Sequence, residues 1–191
     1  FFPLVMAAEH APELDIATGI AVAFPRNPMH LAYQAWDLQK FSKGKFLLGI
    51  GSQVKAHIEK RFGVDFNPPA PRMREYILAL KAIFDCWQNG TALNFQGEYF
   101  RHTLMTPMFN PGPLDCAPPP VLLGALGPLM TEVAGEVADE LGRFLRGQSI
   151  QARPISTATQ ALRWCRRKPV LAALAAVVVP PRMTAYSEAS Q

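Results

Sequence analysis

The sequence predicts a parallel α/β fold, and three observations carry that expectation. Short apolar runs alternate along the chain with amphipathic helical stretches. Three of those runs, LDIATGIAVAF, KFLLGIG and PPVLLGA, lack the period-two alternation of a strand with one wet face. Continuous apolar character of this kind suits strands covered on both sides. Each run closes on small residues, glycine or proline and leads towards a helical pattern, which makes right-handed parallel crossovers the expected connection.

The elements follow in order. Leu4, Val5, Ala8 and Ala11 recur at helical spacing, and Pro12 limits further extension. LDIATGIAVAF is the first strand, closed by Pro25 and Pro28. A helix over residues 28–40 follows, with Pro28 at its start, Lys40 at its end, and Leu31, Ala35 and Leu38 on one face. KFLLGIG is the second strand, ending in Gly51 and Ser52. After a polar stretch comes the strongest helix, PRMREYILALKAIFDCWQNG, whose stripe includes Met73, Ile77, Leu80, Phe84 and Trp87 before Gly90 ends it. Residues 91–120 read as a hairpin at FQGEYF plus a proline-rich run, a loop long enough to be functional or disordered. PPVLLGA is the third strand, and GPLMTEVAGEVADE the last helix.

Composition bounds the function classes. The chain has 191 residues, 49% hydrophobic and 18% charged, which is globular. Residues 1–140 carry 11 Lys/Arg against 14 Asp/Glu, whereas residues 141–191 carry 8 Lys/Arg against Glu188 alone. The net charge of +4 therefore belongs to the tail, and a nucleic-acid function would have to rest there. Cys86, Cys116 and Cys165 form no metal spacing, and their odd, scattered number suits a reducing compartment. The longest aliphatic run, Val170 to Val179, is half of a bilayer span. A cytoplasmic protein with no membrane, metal or nucleic-acid partner is expected.

Beyond Glu140 the pattern changes together with the charge. RFLRGQSIQARPISTATQALRWCRRKP has no clear period, and LAALAAVVVPP follows without helical caps or strand alternation. The division is a domain over residues 1–140 and an atypical basic tail over residues 141–191, read either as non-native coding such as a frameshift or as a genuine basic extension.

Candidate chemistry gathers at the strand ends, where parallel α/β folds hold their ligands. The ends here are GIAVAFPRNP, GIGSQ and GALGP, each with small residues where backbone can approach a flat or anionic ligand. No GxGxxG or GxxxxGK[ST] fingerprint is present. His10 and His30 lie on helices, and His102 lies in the long loop. His57 lies just past GIGSQ, where it could bind substrate or cover the loop. Arg72, Arg74 and Glu75 open the strongest helix and read as surface pairing in preference to phosphate contact, and the carboxylate pairs Glu132/Glu136 and Asp139/Glu140 read as exposed helix surface. Trp36, Phe84 and Trp87 read as core packing rather than a ring-stacking box.

Taken as an ordered set, these motifs resemble the luciferase-like monooxygenase superfamily, which includes oxidoreductases dependent on the deazaflavin coenzyme F420. The resemblance runs from about residue 4 to residue 139, through DIATGIAVAFPRNPMHLAYQAWDLQKFSKGKFLLGIGSQVKAHIEKRFG, PRMREYILALKAIFDCW, FQGEYF and PPVLLGALGPLMTEVAGEVAD. It implies a partial (β/α)8 TIM barrel, about strands 3 to 5 with their helices, in a chain lacking the first two strands and everything after the fifth helix. It also implies a homo-oligomeric parent and a small-molecule substrate.

By the same resemblance, a bulge with a non-proline cis peptide at Gly19–Ile20, followed by Ala21 and Val22, backs the cofactor ring. Gly51, Ser52 and Gln53 match the loop beside that ring, and Gly124, Ala125 and Gly127 match the turn after the fifth strand. Leu126 stands where many relatives have a smaller residue. The text GIAVAFPRNPMHLA and MTEVAGEVAD favours coenzyme F420, with FMN the alternative. The implied chemistry is hydride transfer or oxygen activation; no catalytic residue is carried over, because the second strand that bears it in many relatives has no counterpart here. A non-catalytic remnant of such an enzyme, or a binding protein acting through its basic tail, are the competing readings.

Overall fold

The computed structural model describes residues 1–139. The expectations for an atypical tail over residues 141–191 lie outside them. The described residues form five helices, a parallel sheet and a small hairpin, the helices being α1 (Phe2–His10), α2 (Pro28–Phe41), α3 (Lys55–Arg61), α4 (Pro69–Asn89) and α5 (Pro128–Val137). The sheet is built from β1 (Ile16–Ala17), β2 (Ala21–Val22), β3 (Phe46–Gly51) and β6 (Val121–Gly124), and the hairpin from β4 (Phe95–Gln96) and β5 (Arg101–His102).

β1 and β2 both pair with one edge of β3, and β6 pairs with the other, all in parallel. Phe46, Leu48 and Ile50 are buried on the face of β3 towards the helices, joined by Val121 of β6. Neighbours in space are neighbours in sequence, with one helix layer behind them. That is the arrangement of a barrel arc rather than of a doubly wound sheet, which is helix-covered on both faces.

The first strand differs from the continuous run expected from sequence. Ile16 and Ala17 pair with Phe46 and Leu47, whereas Ala21 and Val22 pair with Ile50 and Gly51. The first strand thus advances four residues, from Ala17 to Ala21, while β3 advances three, from Leu47 to Ile50, so it carries one extra residue and bulges. Within the bulge the Gly19–Ile20 peptide is cis. Thr18 donates its hydroxyl to the Gly49 carbonyl at 2.7 Å. A Cβ on Gly49 would stand 2.0 Å from the Thr18 carbonyl oxygen, so only glycine fits there.

The helices begin and end as their residues dictate. Asn27 caps α2 by accepting the Met29 N–H at 2.9 Å, with Pro28 next. Gly90, at φ 71°, ends α4 in the left-handed conformation that glycine adopts without a Cβ clash. α3 is a helix where the sequence suggested only a polar stretch; it is short and buries Ile58 alone, too little to leave a period. Between α2 and α4, Trp36 lies 5.5 Å from Phe84 and 5.3 Å from Trp87, ring centre to ring centre. These aromatics are core, as expected.

The long segment between α4 and β6 is ordered. Three side chains along α2 reach its carbonyls: Tyr33 donates to Phe109, Trp36 to Gly112 at 3.1 Å, and Gln39 to Ala117 at 2.8 Å. Gln88 of α4 bonds Leu114 in both directions, each at 3.1 Å. The segment includes a 3-10 turn at Pro107–Phe109. Glu75 of α4 pins the hairpin by accepting the N–H groups of Glu98, Tyr99 and Phe100 at 2.9, 2.8 and 2.6 Å. Among the described residues no helix is long and apolar enough to cross a membrane.

Candidate functional site

At the carboxyl ends of β3 and β6 the chain leaves an open cleft of about 930 Å³, in the upper part of the size range of ligand sites. Seven of the ten residues singled out from sequence line it: Ile20, Gly51, Ser52, Gln53, Gly124, Ala125 and Gly127. The other three do not. Gly19 is exposed beside the cleft, Ala21 is buried in the core, and the Val22 carbonyl accepts a bond from Arg26 at 2.7 Å.

Ile20 organises the floor. Its Cδ1 would lie 2.5 Å from a Cβ on Gly51, and its Cγ2 3.6 Å from one on Gly124. The two glycines therefore leave room for the Ile20 side chain, which crosses them and remains 41% exposed. Sequence reasoning had assigned that room to backbone approach by a ligand. The structure puts Ile20 into it, and the bulge sets the side chain there.

Gln53 follows in a left-handed conformation, φ 62°, uncommon outside glycine. Its Oε1 accepts the Val54 N–H at 3.1 Å just ahead of α3. The rest of the lining was not singled out from sequence. It includes Phe66 with Pro68, Pro69 and Pro71 at the start of α4, and Leu129 and Met130 on α5. The readable signal for it was NPPAPR, a proline cluster at a helix start following a strand and a polar loop.

Among the described residues Lys55 is the one charged side chain lining the cleft, 3.7 Å from Glu59 on the exposed face of α3. No Asp, Glu or His among the described residues lines it. His57 is exposed on α3, away from the lining. His102 sits on the hairpin, its Nε2 buried with no hydrogen-bond partner among the described residues, and burial lowers its pKa. Burial raises the Cys86 and Cys116 thiols, which keeps both protonated near neutrality. The cleft is open and mostly apolar, and among the described residues its lining offers no proton donor of the carboxyl or imidazole kind.

A second groove of about 580 Å³ lies against Pro120 and Val121 at the opening of β6. Its polar groups hold the fold together. Asp139 accepts the Val121 N–H at 2.9 Å and pairs with Lys81 at 2.6 Å, so it is no mere surface acid. Arg74, for which surface pairing is expected, grips Glu136 on the exposed face of α5 through bonds of 2.9 and 3.0 Å. Arg72 instead lies over the Phe24 ring at 4.6 Å and bonds the Asp65 carbonyl. Ligands of parallel α/β folds sit at the opposite, carboxyl end of the strands, which selects the first cleft.

The profile of the family described as luciferase-like monooxygenase matches residues 1–178. The chain is 53% identical over 139 residues to the Mycobacterium tuberculosis (strain H37Rv) protein called "Uncharacterized protein Rv1360", covering 73% of this chain and 41% of that one. It is 27% identical over 136 residues to the 5,10-methylenetetrahydromethanopterin reductase of Archaeoglobus fulgidus, covering 71% of this chain and 38% of the reductase. Its fold is similar to that of the coenzyme F420 dependent tetrahydromethanopterin reductase from Methanopyrus kandleri, with a TM-score of 0.55 and 23% identity over 76% of this chain and 50% of that one. The chain spans about two fifths of the length of these curated relatives.

Proposed function

The chain belongs to the luciferase-like monooxygenase family, and from that premise we propose that it forms the ring-binding part of an oxidoreductase using a flavin-type coenzyme, with coenzyme F420 favoured over FMN. The observation that carries this reading is the floor of the cleft. A tricyclic ring needs a flat apolar support with open space before it. Ile20, laid across Gly51 and Gly124 at the mouth of the strands, is such a support. The residues present therefore fit the group: Ile20 would back the ring, and Ser52 and Gln53 would lie at its edge.

When bound, the coenzyme supplies hydride transfer, or oxygen activation in the case of FMN. The protein's share is to hold the ring against Ile20, keep one face clear for a small-molecule substrate, and keep water from it. The preference for F420 is supported by the reductase relatives, of which the Methanopyrus kandleri enzyme is described as dependent on that coenzyme. Homo-oligomer formation, implied by the family resemblance, belongs to the same proposal.

Thermal unfolding of the 191-residue chain, alone and with each coenzyme, tests it. A ligand that binds only the folded state adds about 2.7 kcal/mol at a hundredfold excess over its dissociation constant. The expected result is a cooperative melt raised by F420 and raised less by FMN. A melt moved by neither coenzyme would overturn the proposal, and one moved more by FMN would reverse the choice of coenzyme.

A further inference from the structure

Ile20 stands at the cleft through the short segment that leads to it. On the β1 side, the Thr18 N–H reaches the Leu47 carbonyl at 3.3 Å, a long bond, and the Thr18 hydroxyl donates to the Gly49 carbonyl at 2.7 Å, a close one. On the β2 side, Ala21 is buried and the Ala23 N–H meets the Gly51 carbonyl at 3.0 Å. Between these anchors little holds the chain. Among the described residues neither Gly19 nor Ile20 makes a backbone hydrogen bond. A Cβ on Gly19 would have nothing within 4 Å, and Ile20 is itself exposed. Such a stretch is what a bulge entails, since the extra residue is left off the ladder.

Thr18 is the last residue fixed to β3 before that stretch. A Cβ on Gly49 would stand 2.0 Å from the Thr18 carbonyl oxygen, so its absence lets Thr18 close onto the strand. Two residues further on, Ile20 crosses Gly51. The chain thus steps along the two glycines of β3, pinned at the first by a hydroxyl and laid over the second by a side chain. Threonine is stiff at χ1, so a bond from its hydroxyl orients its backbone as well as its side chain.

We infer that Thr18 is a positioning residue of the cleft: its hydroxyl, by holding the bulge to the Gly49 carbonyl, keeps the Ile20 side chain over Gly51 and Gly124 and so sets the affinity for a flat ring laid on it. The effect on affinity rests on the placement of the ring on Ile20; the hold on Ile20 itself does not.

Two readings on the full chain test this, with Thr18→Val removing the hydroxyl at nearly constant shape and Thr18→Ser keeping it. The first is the δ1-methyl resonance of Ile20 in a chain isotope-labelled at its isoleucine methyls, assigned by its loss in Ile20→Val; it needs no coenzyme. The second is titration with coenzyme F420 and with FMN, beside urea unfolding of each variant. Thr18→Val should displace the Ile20 resonance and weaken coenzyme binding about tenfold, because fewer molecules hold the side chain in place. Thr18→Ser should stay near the wild type in both. In an Ile20→Ala background, Thr18→Val should weaken binding no further, since the hydroxyl acts through Ile20. Should Thr18→Val not fold, Thr18→Ala also lacks the hydroxyl and takes its place. An unmoved Ile20 resonance, equal changes from Thr18→Val and Thr18→Ser, or a further loss in the Ile20→Ala background would each overturn the inference. The two readings fail separately. A displaced resonance in a chain that binds neither coenzyme, or binds them equally without the hydroxyl, sinks the placement of the ring and leaves the hold on Ile20 standing. Coenzyme binding with an unmoved resonance does the reverse.

Discussion

Two glycines two residues apart on β3 do different work, although the sequence GIG presents them alike. A Cβ on Gly49 would meet the Thr18 carbonyl oxygen at 2.0 Å, and backbone cannot swing away. A Cβ on Gly51 would meet the Ile20 Cδ1 at 2.5 Å, the far end of a side chain that can turn. Gly49→Ala should therefore destabilise the fold by about 1–3 kcal/mol, the usual range for overpacking. Gly51→Ala should cost less stability but tilt Ile20 and reduce the melting shift given by the coenzyme. Urea unfolding of the two variants, with and without coenzyme, separates these effects. Equal stability losses and equal coenzyme shifts would show that Ile20 is not the platform.

At the scale of elements, the segment between α4 and β6 is held by side chains of the helices beneath it rather than by strand pairing of its own beyond the short hairpin. Gln39 is central to this. Its amide donates to the Ala117 carbonyl at 2.8 Å and accepts the Phe46 N–H at 3.0 Å, so one buried side chain joins α2 to the start of β3 and to the segment. Gln39→Leu keeps the volume and removes both bonds, leaving polar groups without partners at about 1–3 kcal/mol each. The variant should unfold at lower urea, and the 103–120 segment should become open to limited proteolysis while the wild type resists. Proteolysis unchanged from wild type would mean that Tyr33, Trp36 and Gln88 suffice. The order of this segment was not readable beforehand, because a polar residue on an apolar helix face looks the same in sequence whether it anchors a distant carbonyl or faces water.

For the molecule as a whole, β3 lies between two strands, whereas β6 has β3 on one side and no other described strand on its second. Amides at Phe46–Gly51 should exchange at least tenfold more slowly than those at Val121–Gly124, since protection follows the number of paired edges and the buried contacts around them. Hydrogen-exchange mass spectrometry of the full chain reads this directly. Equal protection would place a further strand against β6. The same arc sets where chemistry can occur: helices cover one face, and the strand mouths gather Ile20, Gly51 and Gly124 at one end.

Composition and periodicity determined the order of the strands and main helices, the aromatic core of Trp36, Phe84 and Trp87, and the three strand mouths. Those features follow from local spacing and burial, which are written along the chain. Most of the residues that the resemblance assigned to a ring do come together at one cleft. Tertiary structure alone decided the rest. It split the first strand at the bulge, turned the polar stretch after GIGSQ into α3, and tied down residues 103–120. It gave the space over Gly51 and Gly124 to Ile20, and brought the prolines that open α4 to the same cleft. Each of these depends on which atoms of distant residues meet, such as Thr18 with Gly49 or Gln39 with Ala117, and contacts of that kind have no period in the sequence to announce them.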